Sequence, residues 1–236
     1  FDGDFDETVA RIKGNGVVRC IFPAIDSTTF ERQRNAAEKY GDFVVQAIGL
    51  HPTSVAENWR EELDFVLEEV ERNNYVAIGA IGMDGYWSKE FIPQQKEVFG
   101  QQLRLAYRKG LPVIIHAREA TDEIFQVLDS LGGEVPQGVF HAFSGSWETY
   151  SRICGYGDFM VGIGGVATYK NAGVAKTLER IPLEKIVLET DSPYLTPVPF
   201  RGKRNESSYL VYIAEKISQI KGCTLEEVAS ITTANA

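Results

Sequence analysis

The three histidines of this chain each close a short apolar run. His51 follows residues 44–50 (VVQAIGL), His116 follows 111–115 (LPVII) and His141 follows 138–140 (GVF). A fourth run, 185–190 (KIVLET), delivers Asp191 in the same way. Parallel strands of one barrel would carry all four side chains to its C-terminal mouth, where such barrels keep their active sites. Neutral imidazoles and a carboxylate that converge suit a divalent metal ion. Each residue also has a plainer reading. A histidine after an apolar run is often a satisfied core residue, and Asp191 before Ser192-Pro193 could open a turn. The repetition of the pattern favours the site.

Further groups surround these four. Glu189 precedes Asp191 by two residues and would share its strand face, as an acceptor for a ligand imidazole or as one half of an ion pair. His51 precedes Pro52, so it is either a turn residue or a group that orients substrate or shuttles a proton. Arg118 and Glu119 follow His116; they form a salt bridge at a helix start, or Arg118 contacts a phosphate. The stretch 197–205 (PVPFRGKRN) puts Arg201, Lys203 and Arg204 in a proline- and glycine-bearing loop after the last strand. That is either a solvated basic loop or, at the place where barrels often bind phosphate, a substrate contact through Arg201 and Lys203.

Strand-like and helix-like segments alternate to position these residues. Apolar runs rich in Val, Ile and Phe lie at 17–23, 43–51, 75–83, 111–117, 138–143, 159–166 and 185–190. Between them, Thr28-x-x-Glu31 resembles a capping box opening a helix that Gly41 ends. Residues 57–73 put Leu63, Val66, Leu67 and Val70 on one helical face. Pro93 fits the first turn of a helix running to Lys109, where Gly110 stops it, and Thr224-x-x-Glu227 is another capping box. The alternation predicts an α/β fold, a parallel sheet covered by helices. Functional residues ending several strands favour a TIM-type (β/α)8 barrel over an open sheet, with the first strand upstream of Phe1. No dinucleotide or P-loop fingerprint is present, and Gly162-x-Gly164-Gly165 reads as a place where backbone passes close to its neighbours.

With 236 residues, 44% of them hydrophobic, one barrel domain over 1–236 fits the length. Cys20, Cys154 and Cys223 are far apart and lack C-x-x-C spacing, which predicts a reducing, cytoplasmic setting and, for Cys20, a small buried thiol. The net charge of −9 disfavours a protein that holds nucleic acid by charge alone, but not a metal enzyme that visits a phosphodiester. No apolar stretch approaches the roughly 18 residues of a membrane span.

Five motifs then match a family. Gly49-Leu50-His51-Pro52, Ile114-Ile115-His116-Ala117-Arg118-Glu119, Phe140-His141-Ala142-Phe143-Ser144-Gly145-Ser146, Leu188-Glu189-Thr190-Asp191-Ser192-Pro193-Tyr194-Leu195 and the 199–205 stretch run in family order. The chain resembles the TatD family of metal-dependent deoxyribonucleases, within the amidohydrolase-like barrel superfamily. The resemblance implies one or two divalent ions and hydrolysis of phosphodiesters in DNA, which is a substrate rather than a stable partner; the ligand types themselves suit Mg, Mn or Zn. It gives ligand roles to His116, His141 and Asp191 and a catalytic-site role to His51, with Asp191 accepting or orienting a proton. A protein of this acidity with a recessed site is expected to act as an exonuclease on single-stranded ends.

Two departures from the family stand out. Its opening His-x-His pair would precede Phe1, and its metal-bridging Glu is replaced by Ala80. Alanine offers no ligand, and two +2 charges ~4 Å apart repel by roughly 15 kcal/mol at an effective dielectric of about 20. Feeble metal occupancy and reduced activity are therefore expected of this form. Two other readings compete: a metal-dependent hydrolase of an ester, lactone or amide on the same barrel, and a degenerate, non-catalytic binding or scaffold barrel.

Overall fold

The computed structural model describes Phe1 and residues 3–236. In chain order the first elements are α1 (Phe5–Gly14), β1 (Cys20–Ala24), α2 (Ser27–Tyr40), β2 (Val44–Ile48), α3 (Trp59–Arg72) and β3 (Ala77–Asp84). Then come α4 (Ile92–Lys109), β4 (Val113–Arg118), α5 (Thr121–Asp129), β5 (Gly138–Phe140) and α6 (Trp147–Cys154). The last are β6 (Phe159–Ile163), α7 (Val174–Arg180), β7 (Ile186–Leu188), α8 (Leu210–Lys221) and α9 (Leu225–Asn235). Every apolar run named above carries a strand, and helices separate the strands as expected.

By its contacts the chain divides into two compact units. One comprises Arg19–Phe140 with Tyr156–Asp158. Its strands β1 to β5 pair in parallel, each with the next in sequence. β3 is buried along its whole length, and Ile78, Ile81 and Met83 are sealed from solvent. Burying each such side chain contributes about 1.5–3 kcal/mol. The β3–β4 ladder pairs Gly79 with Ile114 and Ile81 with Ile115, so Ala80 is an extra residue without a partner. Such bulges are common beside active sites, where they re-aim a side chain.

The helices of this unit follow their local signals, with one correction. Pro93 lies in the first turn of α4 and Gly110 ends it in the left-handed conformation. On α3, Leu63, Val66 and Val70 are buried together with Trp59, while Leu67 is half-buried. The cap of α2 is not Thr28 but Asp26: its carboxylate accepts from the Thr29 backbone, and the Thr29 hydroxyl accepts from the Asp26 backbone. Glu31, the expected partner, pairs with Arg34 at 3.1 Å.

The second unit comprises Phe1–Val18, His141–Gly155 and Phe159–Ala236. Within it β6 and β7 run parallel, with Val161 beside Ile186 and Ile163 beside Leu188. The Thr224–Glu227 capping box opens α9 as read from the sequence. Helix α1 is tied to the segment before α8, because Arg11 donates to both oxygens of Glu206 at 2.8 and 2.7 Å.

Candidate metal centre

In the second unit, His141, Glu189 and Asp191 form a cluster. His141 Nδ1 lies 3.4 Å from Asp191 Oδ1 and 3.8 Å from Glu189 Oε1. The ligand atoms of the three residues all lie within 4.8 Å of one another. One imidazole and two carboxylates at that spacing fit a divalent cation, since nitrogen and oxygen donors suit Zn²⁺ and Mn²⁺ and carboxylates suit Mg²⁺.

Local structure explains how three residues from two segments meet. His141 directly follows β5, whereas Glu189 and Asp191 lie just past β7. Glu189 is held from both ends: its backbone N–H donates to Ile163 at 3.1 Å, and its carboxylate accepts from the Ala142 backbone. A Cβ on Gly162 would lie 2.1 Å from Glu189 Oε2, so only glycine leaves that carboxylate its place. Gly165 plays the same part against the Leu195 carbonyl, at 2.0 Å. The glycine signal thus marks close backbone approach, as the sequence suggested.

Asp191 has φ 52° and Ala142 φ 50°, left-handed conformations that non-glycine residues adopt at a cost. Asn205 over-determines the Asp191 turn. Its buried amide donates to the carbonyls of Thr190 and Tyr194, both at 2.5 Å, and its backbone N–H donates to Pro193 at 3.0 Å. Asn205 ends the basic motif, so part of that motif serves to shape the loop that carries Asp191.

The cluster is electrostatically loaded. Burial opposes charge on His141, but its bond to Asp191 and the charges of both carboxylates raise its pKa to about 9. Burial also pushes Glu189 up to about 8, with Asp191 adding to the rise and His141 working against it. A histidine holding its proton offsets the carboxylate charge beside it, a balance that a cation would supply instead.

The first unit holds the other histidines. His116 lies within β4, and its Nε2 is 2.9 Å from Asp84 Oδ2 at the end of β3. The His51 ring sits 4.5 Å from that of His116, and its Nδ1 is 2.7 Å from the Thr53 hydroxyl. Asp84 is 2% exposed. Burial alone would raise its pKa, but bonds from His116 and from the Tyr86 and Trp87 backbone hold it below the usual carboxylate value. Asp84 escaped the sequence reading, although it closes an apolar run just as the histidines do.

Two buried glutamines on α4 fix this arrangement, and they too were missed. Gln95 accepts from the Asp84 backbone at 2.9 Å and donates to its carbonyl at 3.2 Å. Gln102 does the same for Leu50, the residue before His51, at 2.7 and 3.2 Å. Residues seven apart share a helix face, so one face of α4 clamps two strand ends. Polar side chains in an otherwise apolar stripe were the available signal.

The basic residues rest on aromatic rings. The Arg118 guanidinium lies 3.6 Å from the Tyr86 ring centre, and that of Arg201 lies 4.2 Å from Tyr169. The Lys203 ammonium is 5.6 Å from the ring of Phe200. The Arg204 guanidinium lies 4.5 Å from the Phe1 ring centre and also pairs with Asp4.

Comparison with known proteins fits this picture. The family model for TatD related DNase matches residues 1–236. A Bacillus subtilis (strain 168) protein described as the uncharacterized metal-dependent hydrolase YabD is 42% identical, covering 100% of this chain and 92% of its own length. The 3'-5' ssDNA/RNA exonuclease TatD of Pantoea ananatis is 30% identical over 100% of this chain and 93% of its own. The crystal structure of YjjV, a TatD homolog from Escherichia coli K12, superposes with a TM-score of 0.86 at 29% identity, covering 100% of this chain and 91% of the other. The chain therefore has the TIM-type barrel fold of these hydrolases. It belongs to the TatD family of metal-dependent hydrolases. Among the described residues no helix is long and apolar enough to cross a membrane.

Proposed function

We propose that the chain is a divalent-metal-dependent phosphodiesterase that removes nucleotides from single-stranded DNA ends. The observation that carries this reading is the His141–Glu189–Asp191 cluster, whose donor atoms fit a cation. The exonuclease relative in Pantoea ananatis adds support. His141 and Asp191 are the cation's ligands, the resemblance adds His116, and Glu189 either joins them or fixes His141. A cation held there would supply Lewis acidity toward a phosphoryl oxygen and acidify water.

The chain's own groups do the rest. Asp191, with its carboxylate oriented by the turn that Asn205 clamps, accepts the proton of the attacking water. His51 orients substrate or relays that proton onward. Arg118, Arg201 and Lys203 bind phosphate oxygens and stabilise the charge that builds on them. Asp84 is a positioning residue: it fixes the tautomer and orientation of His116, as carboxylates do for ligand imidazoles. With Ala80 at the bridging position, occupancy is weak and turnover slow.

The test is cleavage of end-labelled single-stranded DNA with added Mg²⁺, Mn²⁺ or Zn²⁺, by this chain and by Ala80→Glu. Stepwise loss of end nucleotides is expected, slow in the former and faster in the latter. Efficient cutting of closed circular duplex would overturn the end preference. Hydrolysis of an ester, lactone or amide panel with no attack on any oligonucleotide would overturn the nuclease reading. No metal-dependent activity on any substrate, even in Ala80→Glu, would favour a scaffold protein.

A further inference from the structure

Tyr86 and Trp87 follow β3 and stand in solvent, 48% and 71% exposed. Their rings meet edge to face, with centroids 5.0 Å apart and planes at 86°. Arg118 lies 3.6 Å from the centre of Tyr86 and 5.6 Å from that of Trp87. The backbone beneath them is fixed. The N–H groups of Tyr86 and Trp87 donate to Asp84 Oδ1 at 2.9 and 3.3 Å, while Asp84 Oδ2 bonds His116. Gly85 packs against the Glu119 backbone, where a Cβ would lie 2.6 Å from the carbonyl oxygen. One carboxylate thus ties two solvent-exposed aromatic residues to a candidate ligand histidine. His116 and Arg118, two residues apart on β4, project from the same face of the strand.

We propose that Trp87, braced edge to face by Tyr86, forms a stacking platform for a nucleobase of a single-stranded nucleic acid, with Arg118 taking the adjoining phosphate. The proposal rests on the phosphodiesterase reading above and names how that site grips its substrate. An indole left in water beside a guanidinium matches the two halves of a nucleotide, a π-face and an anion. Stacking tolerates any base, because every base offers a π-face. It also selects unpaired strands, since a base within a duplex is already stacked on its neighbours. The grip therefore explains a preference for single-stranded ends without a basic surface, in a chain whose net charge is −9.

The experiment compares a short phosphorothioate oligothymidylate with an abasic oligomer of equal length, each titrated onto the full chain and followed by tryptophan fluorescence and anisotropy. The oligothymidylate is expected to quench fluorescence and to bind about tenfold tighter than the abasic oligomer. Trp87→Ala should erase that difference and leave abasic binding unchanged, whereas Trp87→Phe should keep most of it. Arg118→Gln should weaken both oligomers alike. Equal binding of the two oligomers by the unaltered chain, or an undiminished preference in Trp87→Ala, would overturn the platform while leaving the phosphodiesterase reading intact. Binding of neither oligomer would overturn both.

Discussion

Gly162 leaves the space that the Glu189 carboxylate fills: a Cβ there would stand 2.1 Å from Glu189 Oε2. A backbone position on β6 therefore sets where an acid next to His141 can lie. Gly162→Ala should displace Glu189 while β6 itself persists. Mn²⁺ binding, read by electron paramagnetic resonance, should weaken by about tenfold, the scale seen when groups supporting a ligand are disturbed. Undiminished binding with an intact fold would detach Glu189 from the metal centre.

Ala80 is 6% exposed and sits at the bulge of β3. A glutamate placed there without a cation would be a buried carboxylate, which is costly. Ala80→Glu should accordingly melt at a lower temperature than the unaltered chain in chelator and gain more from added Mn²⁺, because a ligand that binds the native state stabilises it. Metal affinity should rise with it. Thermal melts with and without Mn²⁺ check both, and unchanged affinity would refute the bridging role.

The paired hydrogen bonds between Gln102 and the Leu50 backbone also lead to a prediction. Gln102→Leu keeps the packing volume but orphans a buried N–H and a buried carbonyl, each costing about 1–3 kcal/mol. Urea denaturation should report a loss of about 2–6 kcal/mol. A change below about 0.5 kcal/mol would mean that the strand end holds without the clamp.

Acid should loosen the Arg11–Glu206 pair. The Arg11 bond holds the Glu206 carboxyl below its ordinary value of 4.5, burial partly opposing and the Ser208 hydroxyl assisting. A depressed folded pKa contributes stability that is present above the unfolded value and fades as pH falls through the folded one. The gap in melting temperature between this chain and Glu206→Gln should therefore be constant near neutrality and close below pH 4.5. A gap that persists or widens in acid would contradict the pair's role.

Much of this architecture was legible in the residues. Runs rich in Val and Ile marked the strands, and Pro93 with Gly110 bounded α4, because these residues constrain backbone directly. What escaped depends on partners distant in sequence. Asp26 caps α2 through a threonine rather than a glutamate, so the usual capping pattern pointed two residues too late. Asp84 becomes notable only once His116 is 2.9 Å away, and Gln95 only once its amide meets the Asp84 backbone. The strands β5 and β7 span three residues each, shorter than their apolar runs, and His141 and Asp191 lie past their ends. Glu189 lies near Asp191 for a different reason than strand alternation: both follow the end of β7, and the chain turns at Asp191 with φ 52°.

His141 and Asp191 acting as one cation site is the centre of the proposed function. Mn²⁺ titration followed by electron paramagnetic resonance, on the unaltered chain and on Asp191→Asn and His141→Ala, tests it most directly. Measurable though weak binding is expected, falling at least about tenfold in each variant, with both still folded by circular dichroism. Equal Mn²⁺ binding in all three proteins would contradict it.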